Sequence, residues 1–311
     1  MPSSISNSKT QATHGSYTRG IVVTLVMAVL FLAGLEIAYR FGFARFSRIE
    51  NRTQEDYAKA LTVRPGPPGR PAILFLGNSL LLEALDYPGM TKALEPHATP
   101  VRFVIEQTSY LDWKYGIRRL LNSGVRPDRI ILSMNIPMLA GNVIRGDYSA
   151  FYLLDTPDIL SAGKEAGYDL TKTSSLYFAR YSFFFASRNN FRNFILNKVH
   201  SGYGAVLHDF TTTGAKEMTD AEIIAAAAPR LAEFRQLCAQ YNVRFDFLLP
   251  PGFGKGEQAL IQAGNNSGVP VIVPVSLNEW KLDMYKDGFH VNQEGASQFT
   301  RRLAAKLLEG K

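Results

Sequence analysis

The chain has 311 residues, of which 46% are hydrophobic, 12% aromatic and 20% charged, too apolar for a disordered protein and too mixed for a polytopic membrane protein. One cysteine, Cys238, excludes a disulfide framework and a multi-cysteine metal site. Of the net charge of +7, residues 1–70 carry +5, from nine Lys/Arg and four Asp/Glu. A nucleic-acid binder would concentrate that excess on its folded domain, so nucleic acid is rejected as a partner.

Residues 1–19 form a polar leader. Gly20–Tyr39 then reads GIVVTLVMAVLFLAGLEIAY, with Glu36 as its one acid. About 20 residues rising about 1.5 Å each match a hydrocarbon core of about 30 Å. A cleaved signal peptide would be shorter and end in a small-x-small site. Ala33-Gly34-Leu35 is a poor one, so the segment is expected to be an uncleaved transmembrane helix. Lys9 and Arg19 precede it, while Arg40, Arg45, Arg48 and Arg52 come after it. The positive-inside rule alone would keep the large domain in the cytoplasm, but an N-terminal anchor with a short leader usually exports the domain behind it. The expectation is therefore a single-pass protein of the inner membrane with a periplasmic domain. Phe41, Phe43 and Phe46 fit either a stretch against lipid headgroups or an ordinary amphipathic turn.

Residues 40–71 are a juxtamembrane segment, and from residue 53 they read as a linker ending in a Pro/Gly cluster. Short apolar runs come next, at Ala72–Leu76, Val101–Ile105, Arg129–Met134, Val243–Leu249 and Val271–Val275, each of buried-strand length. Amphipathic stretches at Asp112–Asn122, Ala221–Tyr241 and Glu257–Ala263 separate them. A last helix starts near Asn292, with Ala296, Phe299, Leu303 and Leu307 on one face. The fold class is α/β: residues 72–311 form a three-layer, flavodoxin-like domain around a mostly parallel five-stranded sheet. Ligand sites collect at the C-terminal edge of such a sheet. The aromatic-rich interval 141–214 is expected to be a helical insertion, its Tyr and Phe filling a local core.

The first strand runs into Gly77-Asn78-Ser79, then a helix-compatible Leu80-Leu81-Leu82-Glu83. A serine at that junction displays its hydroxyl at the sheet edge and aims its own N–H out of the helix start. Taken alone, such a serine is commonly just a capping turn. Far along the chain stand Asp287 and His290, spaced so that the carboxylate takes a bond from one ring nitrogen and the other nitrogen faces a nucleophile. Alone, this too reads as a helix-entry turn. His97, His200 and His208 have no ligand-spaced partners and read as surface or core histidines. Cys238 reads as a small buried hydrophobe.

Together the two blocks resemble the SGNH, or GDSL-like, hydrolase superfamily across about Ala72–Leu308. Gly77-Asn78-Ser79 matches the first block, with Asn where many members have Asp; Asp287-Gly288-Phe289-His290-Val291-Asn292 with Gly295 matches the last. The resemblance implies Ser79 as nucleophile, His290 as general base and acid, and Asp287 as its orienting carboxylate. It implies an oxyanion hole from the N–H of Ser79, the side chain of Asn135 after the third strand, and a main-chain donor after the second. The usual glycine is missing from Gln107-Thr108-Ser109-Tyr110, so the N–H of Ser109 is expected to serve. No cofactor and no metal are implied. With the anchor, the likeness extends to proteins that O-acetylate envelope or exported polysaccharides beside a membrane-bound O-acyltransferase, with an acyl-ester donor and a glycan acceptor. The alternatives are a carbohydrate esterase or lipase-type hydrolase, and a catalytically silent scaffold partner of the acyltransferase.

Overall fold

The computed structural model describes residues 11–199 and 217–309. Lys9, His200, His208 and the far end of the expected insertion lie outside the described residues, as does the side chain of Phe46. The chain packs as two units that divide between Arg48 and Ile49.

The first unit is α1 (Gln11–Ala38), a π-helical turn (Tyr39–Phe43) and α2 (Ala44–Phe46). From Tyr17 to Gly34 every residue is exposed, apolar side chains included. Tyr17–Phe43 is long and apolar enough to cross a membrane. A membrane anchor and a signal sequence both meet that description. Near its end Arg40 Nε lies 2.5 Å from Glu36 Oε1, one helical turn away, which neutralises the segment's one acid.

The second unit begins within α3 (Arg48–Leu61), at its second residue. The expected linker is therefore helical up to residue 61. Its inward face is polar: Glu50, Thr53 and Asp56 are buried along with Ala60. Asp56 pairs with Arg102 at 3.1 Å and Arg52 with Glu106 at 2.6 Å. The Pro/Gly cluster beyond it is a turn pinned by Asp128, whose Oδ2 accepts the N–H groups of Gly66 and Ala72 at 2.8 and 2.7 Å.

The five strands are β1 (Ala72–Gly77), β2 (Thr99–Val104), β3 (Arg129–Ser133), β4 (Arg244–Leu248) and β5 (Val271–Ile272). They form one sheet in the order β2-β1-β3-β4-β5, every pair parallel. This α/β architecture is the expected one and is consistent with SGNH-like folds. The fifth strand is shorter than its apolar run because Pro274 has no N–H to extend the ladder.

Between β1 and β2 lie α4 (Ser79–Ala84) and α5 (Tyr87–Leu94); between β2 and β3, α6 (Tyr110–Asn122). The β3–β4 connection carries α7 (Ile136–Ala140), α8 (Asp147–Leu153), α9 (Ile159–Glu165), α10 (Leu170–Tyr181), α11 (Phe183–Val199) and α12 (Asp220–Ala239). Then come α13 (Glu257–Ser267) and, after β5, α14 (Gln293–Glu309). In the described residues the insertion is helical, as expected. Its aromatics divide: Tyr148, Tyr152 and Phe183 are buried, whereas Phe178 and Tyr181 are exposed.

Alternation along the strands assigns each face of the sheet to a layer. Ile73, Phe75 and Ile131 join Leu81, Met90, Phe299 and Leu303 of α4, α5 and α14 in one core. Leu74 and Leu76, pointing the other way, are also fully buried, on the side where α12 packs on β4. Register aligns the strand ends in a row: Val104, Gly77, Ser133, Leu248 and Ile272 are successive partners across the sheet. The chain leaving β1, β2, β3 and β4 therefore emerges along one edge, and there the chemistry-bearing residues collect.

Candidate active site

At the end of β1 the backbone turns tightly into α4. A Cβ on Gly77 would sit 2.6 Å from the Ser133 carbonyl oxygen, so only glycine fits between the two strands. Asn78 is fully buried and caps the helix: its Oδ1 accepts the Leu80 N–H at 3.0 Å. Its Nδ2 donates to the Thr108 carbonyl at 3.1 Å and to the Met138 sulfur at 2.9 Å. An ionised aspartate has no hydrogen to give that carbonyl, which accounts physically for asparagine at this position. Ser79 is then the first residue of α4, and its N–H has no acceptor within the helix.

Asp287 and His290 sit in a small loop closed by the antiparallel bridge between Tyr285 and Val291. Lys286 N–H donates to the His290 carbonyl at 2.8 Å and Asn292 N–H to that of Met284 at 2.9 Å. Gly288, at φ +88°, takes the turn that a side chain would strain. Tyr285, Val291 and Trp280 anchor the loop in the core against Phe299. Asn292 starts the last helix as expected, accepting the Gly295 N–H at 3.0 Å.

This loop returns over the sheet edge to the serine. His290 Nε2 lies 3.0 Å from Ser79 Oγ, and His290 Nδ1 lies 2.7 Å from Asp287 Oδ2. The structure thus brings together all three residues of the expected triad. Asp287 Oδ1 also accepts the N–H groups of Phe289 and His290, at 3.3 and 2.8 Å. Partial burial tends to raise the Asp287 carboxyl, but these hydrogen bonds outweigh it and hold the group below its ordinary value. A carboxylate fixed in this way selects the tautomer with hydrogen on Nδ1 and leaves Nε2 to take the serine proton. The imidazole is 16% exposed and the carboxylate 35%, so the serine end of the relay is the drier one. A rim ion pair, Lys286–Glu83 at 2.8 Å, ties the histidine loop to α4.

Asn135 caps α7, with its Oδ1 accepting the Met138 N–H at 3.1 Å. That fixes the amide and leaves Nδ2 as its donor; Asn135 lines a cavity together with Leu80 and Phe289. Ser109 behaves differently from the expectation. Its N–H donates to Asp112 Oδ2 at 3.0 Å, and its hydroxyl bonds to the Val143 carbonyl. The main-chain donor expected to face the oxyanion is thus occupied by a carboxylate. Asp112 is completely buried, and burial raises its carboxyl despite hydrogen bonds from Ser149, Ser109 and Arg145. The Ser109-x-x-Asp112 spacing is the signature of a helix capping box, and that signal could have revealed the competition in advance. The turn does hold a left-handed residue, but it is Gln107, at φ +61°.

The remaining candidates lie apart from the triad. His97 is exposed. Cys238 is fully buried in α12, and burial pushes its thiol up to about 12, which keeps it from acting as a nucleophile near neutrality. Among the described residues, no three or more His, Cys, Asp or Glu are grouped to hold a metal ion. Searched against protein-family models and against curated proteins, the chain matches none.

Proposed function

We propose that the protein is a membrane-anchored serine acyl-ester enzyme of the SGNH type. The observation that carries this reading is the Ser79–His290–Asp287 relay: a 3.0 Å contact between Ser79 and His290, 211 positions apart in the chain, continued by a 2.7 Å contact from His290 to Asp287. Ser79 Oγ attacks the ester carbonyl while His290 Nε2 takes its proton. His290 then gives that proton to the departing alkoxide, leaving Ser79 acylated. An acceptor hydroxyl enters by the reverse sequence, deprotonated by the same imidazole. The Ser79 N–H and Asn135 Nδ2 are the donors available to the oxyanion, and Asp287 stabilises the imidazolium without accepting its proton.

The exposed apolar helix supports an anchor over a purely soluble enzyme. The resemblance supports a polysaccharide O-acetyltransferase working at the periplasmic face of the inner membrane, beside a membrane-bound O-acyltransferase. Water in place of a sugar hydroxyl makes the same site an esterase. The diversion of the Ser109 N–H gives a silent scaffold its one point of support.

A fluorophosphonate probe tests the class. The full-length protein should label, and Ser79→Ala should abolish the label; a folded wild type that stays unlabelled refutes the enzyme. Transfer is tested by offering an activated acyl ester with and without an oligosaccharide. Acylated sugar is the expected product, and ester hydrolysis indifferent to sugar would leave an esterase. Alkaline phosphatase fused after residue 311 should be active if the domain is periplasmic and inactive if it faces the cytoplasm.

A further inference from the structure

We infer that α10 and α11 lay a basic, aromatic ribbon on the bilayer surface, a second attachment besides the anchor, and that its partner is anionic lipid. The inference rests on the anchored reading of the N-terminal helix and goes beyond it.

The composition of these helices sets them apart. From Leu170 to Val199 the chain carries Lys172, Arg180, Arg188, Arg192 and Lys198 and no Asp or Glu. Residues 1–70 hold an equal excess, so the rest of the chain is net negative. Six Phe and two Tyr share the same segment. An insertion that only filled a local core has no use for such charge. Basic residues interleaved with aromatic and aliphatic ones are what helices lying in a headgroup layer carry.

The apolar side chains are also on the outside. Leu170, Phe178, Tyr181 and Val199 are each more than half exposed, and Ile195 is exposed as well. Single exposed apolar residues are ordinary, but these are contiguous. Leu170, Phe178 and Tyr181 recur at 0, 8 and 11 along α10, which places them on one helix face. The Phe178 and Phe185 rings lie 5.6 Å apart, and the Arg188 guanidinium stands 3.9 Å over the Phe185 ring. From Arg188 the spacing continues along α11 through Arg192, Ile195 and Val199, again one face.

The covalent chain says which partner such a ribbon meets. Residues 44–48 separate the apolar span from Ile49, and six steps of chain reach at most about 20 Å. Ile49 is therefore held close to the headgroups. At the next residue, Glu50 Oε1 accepts a hydrogen bond from Asn190 Nδ2 at 3.1 Å. The middle of α11 is thus fastened to the part of the domain that the tether keeps near lipid. Positive charge there complements anionic headgroups in either leaflet. Each Lys or Arg at such a surface is worth about five-fold in the ratio of docked to free. Docking stops the domain from turning about its tether, so the sheet edge bearing Ser79 keeps one aspect towards the bilayer.

The test uses the full-length protein, one copy per nanodisc, in phosphatidylcholine with or without phosphatidylglycerol. A nitrobenzoxadiazole label is placed at Ile195→Cys on the ribbon, at Gln258→Cys in α13 beside the opposite edge of the sheet, or at Leu25→Cys in the anchor. Cys238 is buried and stays unlabelled. In anionic discs the Ile195 label should shift to the blue and be quenched by lipid spin-labelled near its headgroup, while the Gln258 label is not. Lys172→Gln combined with Arg192→Gln, both exposed residues, should lower the docked-to-free ratio about 25-fold. Raised salt should act in the same direction on the unsubstituted ribbon, which serves if that variant does not fold. Quenching at Ile195 no greater than at Gln258 overturns the inference. So does quenching indifferent to lipid charge and salt, and so does a blue shift without quenching, which a second protein covering the ribbon would give. The Leu25 label, quenched by lipid spin-labelled deep in its acyl chain, reports the anchor separately. If Leu25 is quenched and Ile195 is not, the ribbon fails and the anchor stands; if Leu25 is not quenched, the anchored reading itself falls.

Discussion

Asn135 does two jobs with one amide, and substitution separates them. Its oxygen caps α7 through the Met138 N–H, while its Nδ2 is the proposed oxyanion donor. Asn135→Asp keeps the cap and removes the donor. The expected outcome is a loss of about 10²–10³ in kcat, with a melting temperature close to wild type. A loss of melting temperature that matches the loss of activity would reduce Asn135 to a cap. Asp287 allows a test by pH. Its folded-state carboxyl is held below its ordinary value, so its contribution to stability is complete above the unfolded-state value and disappears as pH falls through the folded one. The urea midpoints of wild type and Asp287→Asn should differ by a constant amount near neutrality. They should converge only below the usual carboxylate range. Because the carboxylate is about one-third exposed, solvent screening keeps that difference small. A constant gap down to the most acid pH would show that the hydrogen bonds to Asp287 do not favour its ionised form. At this scale the sequence was informative about local placement, putting Ser79 at a strand–helix junction and Asp287 and His290 in one turn. It misled at Ser109, where the carboxylate three residues on captures the N–H.

The junction of β1 with α4 is the element on which the site depends. It has no room for a side chain at Gly77, where a Cβ would press on the Ser133 carbonyl and on Leu81. Gly77→Ala should cost about 1–3 kcal/mol in chemical denaturation, as an overpacked site does. It should also slow fluorophosphonate labelling, because relief of the clash moves Ser79 away from His290. An alanine variant as stable and as readily labelled as wild type would show that the junction yields freely. The strands were legible because a parallel sheet buried on both faces leaves uninterrupted apolar runs. Helices α3, α5 and α7 were not, and two of them show why. α5 has only eight residues, with Pro88 and Gly89 in its first turn, and reads locally as a loop. α3 buries Glu50, Thr53 and Asp56 rather than an apolar stripe, so hydrophobic periodicity could not reveal it.

At the scale of the whole molecule, α3 moves the boundary of the folded domain from residue 72 back to residue 49. A chain starting at residue 49 should melt cooperatively. One starting at residue 63 loses the Arg102–Asp56 and Arg52–Glu106 pairs and exposes the surface beneath Ala60. Leaving the partly buried Arg102 and Glu106 without their partners should lower its melting temperature by several degrees or more. Equal melting temperatures would return α3 to the role of a tether. The architecture itself was readable from the alternation of apolar runs and amphipathic stretches. The meeting of Ser79 with His290 was implied by family resemblance rather than by any local pattern, since no periodicity encodes a contact across 211 residues. In the proposed enzyme, that same separation governs when activity arises. During synthesis the ribosome delivers the serine first and its imidazole more than two hundred residues later, so every shorter nascent chain carries an alcohol with no base beside it. On that reading, reactivity arrives only when the closing helix docks.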